Sequence, residues 1–122
     1  MPLQEIQIML NTPTVTRLAR LPRLYQTENT PINDTLIHLH FFIGSCDWFI
    51  AEYDGEDLFF GFAVLGGDWG NAEWGYVSFN ELKDIRIHGV LQVDCEQEQY
   101  WKVRKFSEVM NDYAPKNYFR ER

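Results

Sequence analysis

Between Thr35 and Leu65 the apolar residues recur at every second position in successive runs, broken at Gly44-Ser45 and again at Asp54-Gly55. Side chains along a strand alternate between two faces, so this period predicts three strands, and connections this short return the chain antiparallel. In the first strand Ile37, Leu39, Phe41 and Ile43 form an inner face opposite Leu36, His38, His40 and Phe42. In the second, Phe49, Ala51 and Tyr53 alternate with Trp48, Ile50 and Glu52. The third, Leu58 to Leu65, is apolar throughout. It reads as the central strand, covered on both faces, with Gly61 leaving bare backbone for a neighbouring ring.

The flanking segments supply shorter elements. Gly66 to Asn71 is a glycine-rich loop, after which Glu73 to Phe79 predicts a fourth strand in which Gly75 allows close approach beside Trp74 and Tyr76. Ser78 and Glu81 have capping-box spacing and open a short helix that carries Leu82 and Ile85 inward. Val90 to Cys95 and Tyr100 to Arg104 predict a fifth and a sixth strand, and Ser107 caps a last helix from Glu108 to about Tyr113, ended by Pro115. At the front, residues 3–10 lean to helix. Thr12 with Pro13 reads as a cap and first helical residue, opening a helix to Ala19 whose inner stripe is Val15, Leu18 and Ala19. The reading is one α+β domain over residues 1–122: a mostly antiparallel five- to six-stranded sheet with short helices packed on one side. Residues 1–20 form a helical extension of a core over 21–110.

Composition narrows the function classes. Aromatic residues make up 16% of the chain, and large rings suit a pleated, half-buried surface. The formal net charge is -7, which repels phosphate backbones, so nucleic acid is disfavoured as a partner and another protein is favoured. Cys46 and Cys95 have neither metal-site nor disulfide-scaffold spacing, which fits a reducing, cytoplasmic setting. No apolar run approaches the roughly 18 residues of a membrane span. No motif calls for a cofactor: Gly66-Gly67-Asp68-Trp69-Gly70 lacks the Lys and Ser or Thr of a phosphate-binding loop.

Several motifs occur together: Leu21-Pro22-Arg23-Leu24-Tyr25 with Thr27-Glu28, then Cys46-Asp47-Trp48-Phe49-Ile50-Ala51-Glu52, then Asp57-Leu58-Phe59-Phe60-Gly61-Phe62, and then Ala72 to Leu82 with its Glu-x-Gly-Tyr-x-Ser block. On these, over about Leu21 to Val109, the chain resembles the domain of unknown function 2958 family. The resemblance implies a small bacterial protein of the kind met on plasmids, phages and other mobile elements, and it brings no catalytic residues. The segment Asp94-Cys95-Glu96-Gln97-Glu98 departs from the family's charged stretch in lacking a basic residue, so no salt bridge is carried over there.

Three sets of residues carry candidate chemistry. His38 and His40, two apart on one strand, have a spacing that metal sites use, although two histidines on the solvent side of an edge strand are the simpler account. Glu52 and Glu73 are carboxylates near strand ends that could serve hydrolysis if they converge. Glu73 stands out because its apolar neighbours would desolvate it. Trp48, Trp69, Trp74 and Tyr76 are candidates for an aromatic binding surface. The first reading is a non-catalytic protein-binding accessory module of a mobile element. The alternative is a metal-assisted hydrolase or nuclease using Glu52, Glu73 and a strand histidine, and a homodimer paired through an edge strand is the third.

Overall fold

The structure, a computed structural model, describes residues 11–118; the helix expected over residues 3–10 lies outside them. The alternating runs form the sheet as expected: β2 (Leu39–Ile43), β3 (Cys46–Tyr53), β4 (Leu58–Val64) and β5 (Glu73–Ser78) pair antiparallel. Asp94–Cys95, here β8, adds a fifth strand on the far side of β2, giving the order β5-β4-β3-β2-β8. The central position therefore falls to β3 rather than to β4, although β4 is covered on both faces as its apolar sequence requires.

The expected first strand is broken. Leu36–Ile37 forms a separate β1 that pairs with β9 (Arg104–Lys105), and His38 lies at the junction with its N–H donating to Ile50 O at 2.8 Å. The break reverses the alternation, so Ile37 packs on one face of the sheet while Leu39, Phe41 and Ile43 pack on the other. The expected fifth strand also divides. Leu91–Gln92 (β7) pairs with Arg86–Ile87 (β6) in a small hairpin, and only Asp94–Cys95 joins the main sheet.

Two cores result, one on each face. Leu39, Phe41, Trp48, Ile50 and Phe59 pack with Phe79 and Leu82 of α2 (Phe79–Asp84) on the first. Phe49, Phe62 and Val64 pack with Phe106, Val109 and Met110 of α3 (Phe106–Tyr113) on the second. The α+β, mostly antiparallel architecture holds, while the helices divide between both faces instead of packing on one. An antiparallel sheet buried on both sides explains why β4 lacks a polar face.

Helix boundaries follow local hydrogen bonding. Ser78 caps α2 as its sequence predicts, its hydroxyl accepting from Glu81 N at 3.1 Å. The first helix, α1 (Val15–Ala19), is capped by Thr14 rather than Thr12. Its buried residue is Arg17, and of the predicted inner stripe Leu18 packs against the first core whereas Val15 and Ala19 are exposed. α3 begins two residues before the expected start, with Lys105 at the cap position and its N–H donating to the Glu108 side chain.

One local irregularity in β3 redirects its last side chains. The register with β4 shifts between Ile50 and Glu52, so that Ala51 is an extra residue opposite no partner. Before the shift, Trp48 and Ile50 face the first core while Phe49 and Ala51 face the second; beyond it, Tyr53 returns to the first. Strict alternation would have placed Glu52 with Trp48 and Ile50, whereas the bulge turns it toward the second face. Gly61 of β4 lies opposite this point. A Cβ there would overlap the Phe49 carbonyl oxygen and stand 3.0 Å from Ile50 Cα, so the bare carbon accommodates a neighbouring strand's backbone and not, as expected, a ring. At Gly75, by contrast, a Cβ would meet nothing within 4 Å, and the expected close approach is not there.

Candidate functional site

Glu52 is the centre of the arrangement the bulge creates. It is only 4% exposed, yet its Oε1 accepts from Tyr25 N at 2.9 Å and its Oε2 from Thr27 N at 2.9 Å and from the Thr27 hydroxyl. These are the donors of a surface loop, so the carboxylate pins the segment after Pro22 across the end of the sheet. Buried polar groups need partners, and three neutral donors meet much of that need. Tyr25 is held at φ +71°, in the left-handed region that costs a non-glycine residue about 1 kcal/mol. The strain persists because the Glu52 contact fixes that N–H.

Above Glu52 lies a cleft of about 350 Å³. Phe60 of β4 and Trp74 and Tyr76 of β5 form one wall, and Tyr25 and Ile32 of the loop form the other. The Phe60 and Trp74 rings are near parallel, with centroids 5.5 Å apart, and Phe60 meets Tyr76 at 5.1 Å. Tyr25, Ile32 and Tyr76 are each more than half exposed. The Tyr76 phenol is pushed above its usual range, first by a hydrogen bond with the Tyr25 side chain and then by burial. No strand among the described residues pairs with the outer side of β5.

The other candidates separate. Glu73 is exposed rather than desolvated, and it pairs with Ala63 on the first face of the sheet, opposite to Glu52. His40 is buried and stacks on Phe49 with centroids 4.8 Å apart, its Nε2 2.7 Å from Asp47 Oδ1 and its Nδ1 3.4 Å from Glu96 Oε1. His38, beyond the strand break, lines a different cleft of about 190 Å³ with Arg17, Arg20, Glu98 and Trp101, and burial lowers its pKa. Among the described residues no group of three or more His, Cys, Asp or Glu side chains is placed to hold a metal ion. Cys95 is buried and its thiol is pushed up to about 12, chiefly by burial, so it is inert as a nucleophile.

Of the aromatic candidates, Trp74 and Tyr76 come together in the cleft. Trp48 is buried in the first core, and Trp69 packs edge-on against Tyr118 at 5.5 Å, away from the cleft lining. Trp101 is also buried, its indole N–H donating to Ile37 O. Tyr25, Phe60 and Ile32 were not legible as site residues. The available signal was the Glu52 side chain, whose place at the end of an otherwise apolar strand called for donors from another segment.

No helix among the described residues is long and apolar enough to cross a membrane. No match to the chain is found among curated proteins or among solved structures. The sequence model of the family described as protein of unknown function (DUF2958) matches residues 10–116, which takes in β1 to β9, α1, α2, α3 and every residue lining the aromatic cleft. The chain therefore belongs to the DUF2958 family.

Proposed function

We propose that the protein is a non-catalytic accessory module, cytoplasmic and carried by a bacterial mobile element, that binds another protein through the cleft between the Tyr25 loop and β5. The observation that supports this reading is the aromatic set of exposed Tyr25 and Tyr76 and half-buried Trp74 around a 350 Å³ hollow, beside a strand edge unpaired among the described residues. Aromatic side chains at the centre of a concave patch supply large contact area with little loss of rotamer freedom, which is why they dominate binding energy at interfaces. The strained Tyr25 backbone fits the same picture, because strain is retained where it holds a side chain in place. The occupant is an extended segment of the partner, whose backbone can pair with β5 while one side chain enters the cleft.

The test compares affinity-tagged wild-type protein with Tyr76→Ala and Trp74→Ala, each checked for a native melt, and quantifies what co-purifies from the host cell. The reading predicts at least one protein enriched with wild type and lost with both variants. Equal recovery from all three would overturn it. Recovery of a second copy of the chain alone would instead assign the cleft to self-association, visible as a concentration-dependent mass. The metal-assisted reading requires Glu52 and Glu73 to converge, and their side chains lie on opposite faces of the sheet. A melt raised by Mg²⁺, Mn²⁺ or Zn²⁺ and lost in Glu52→Gln would restore it.

A further inference from the structure

The cleft has a feature that a purely apolar docking site lacks. Its lining carries two carboxylates, Glu28 and Glu52, and no Lys, Arg or His. Glu52 is buried, its donors are all neutral, and none of the ion pairs among the described residues includes it. A carboxylate withdrawn from water without an opposite charge leaves a field that neutral donors offset only in part. That field acts in the hollow, which Glu52 lines together with Tyr25 and Tyr76. The nearest basic residue of the loop, Arg23, is directed elsewhere: its guanidinium lies beside Gly55, where it acts on Asp54.

The walls add to this preference. Aromatic faces carry the negative part of a quadrupole and attract a cation held within about 6 Å, and Trp and Tyr are better hosts than Phe. Phe60, Trp74, Tyr76 and Tyr25 line the hollow, and a planar guanidinium stacks on aromatic surfaces and sheds water more readily than an ammonium. The chain's net charge of -7 steers basic segments toward it. Resting on the partner-binding reading above, we propose that the cleft is a cation-selective pocket that takes an arginine side chain of the partner, with lysine bound more weakly.

Nuclear magnetic resonance titration of the full chain tests this with small probes. Nα-acetyl-arginine amide is compared with its neutral isostere Nα-acetyl-citrulline amide, with Nα-acetyl-lysine amide and with Nα-acetyl-norleucine amide. The signals followed are the Trp74 indole N–H and the Tyr25 and Thr27 amides. The expected result is saturable shifts with the arginine probe, affinity at least tenfold weaker for citrulline, and weakening with added salt. Glu52→Gln and Trp74→Leu should each abolish the difference between arginine and citrulline. Because loss of Glu52 also loosens the loop, Trp74→Leu with a native spectrum is the deciding variant. If citrulline or norleucine amide binds as well as arginine, the cation preference is wrong and an apolar docking cleft remains. If no probe perturbs these signals, the pocket is wrong while the co-purification result still stands or falls separately.

Discussion

Gly61 and Gly75 face each other across the β4–β5 pair, yet adding one methyl group to each should have opposite effects. Neither has the positive φ that would forbid alanine. In a strand interior, replacing glycine by alanine gains about 0.5–1 kcal/mol through the unfolded chain alone. At Gly75 nothing stands within 4 Å of the new Cβ, so Gly75→Ala should be neutral or stabilising by that amount. At Gly61 the new carbon overlaps the Phe49 carbonyl oxygen, with Ile50 Cα and the Phe49 carbonyl carbon each at 3.0 Å. These are backbone atoms at the bulge, so relief requires β3 and β4 to part. Overpacking of that kind costs about 1–3 kcal/mol, and here the upper half of the range applies because no side chain can rotate away. The two variants should therefore differ by about 2–3 kcal/mol. At this chain length that corresponds to roughly 8–12 °C in Tm, taking about 4 °C per kcal/mol. Thermal and urea melts followed by circular dichroism read both quantities, and an unchanged m-value would confirm that stability alone has moved. A Gly61→Ala protein that melts within about 2 °C of Gly75→Ala would refute the bulge geometry.

Three further outcomes follow from the same structure. Glu52→Gln should cost about 1–3 kcal/mol in urea and should speed hydrogen exchange at the Tyr25 and Thr27 amides, since a buried acceptor of three donors is altered; unchanged exchange would mean that the loop is held otherwise. His38 has its pKa lowered by burial. The unfolded chain therefore binds the proton more readily, and stability contributed by the neutral ring is present above about pH 6.5 and lost as pH falls toward the folded value. His38→Gln should flatten the stability profile over that interval, and an unaltered slope would contradict the assignment. Iodoacetamide at pH 8 should label half-buried Cys46 in the native protein and reach Cys95, with its thiol near 12, only in denaturant; two rapid adducts on the native chain would show that Cys95 is accessible.

The strands were readable because period two is strong where both faces are apolar. Leu39 to Ile43, Cys46 to Tyr53 and Leu58 to Val64 needed only alternation and two short turns. The breaks in that period were not readable. Nothing about His38 or Ala51 as residue types marks a strand break or a bulge, because both depend on how a neighbouring strand registers. Those two irregularities decide where the candidate residues lie: one sends His38 and His40 to different environments, and the other turns Glu52 into the cleft and away from Glu73. Trp48 illustrates a second limit, since an indole in a strand fits an interface or a core equally well until the opposite layer is known. Tyr25 and Phe60 escaped notice because the cleft joins a loop to the sheet across 35 residues of sequence, which local pattern does not reveal.

The most direct test of the cleft as the binding site places a photoreactive benzoylphenylalanine at position 32, in the cleft wall, and at position 15, an exposed site on α1 outside the cleft lining. Irradiation in the host cell should give a discrete adduct with one partner protein from position 32 and none from position 15. The same adduct from both positions, or none from position 32 in a folded protein, would contradict the account.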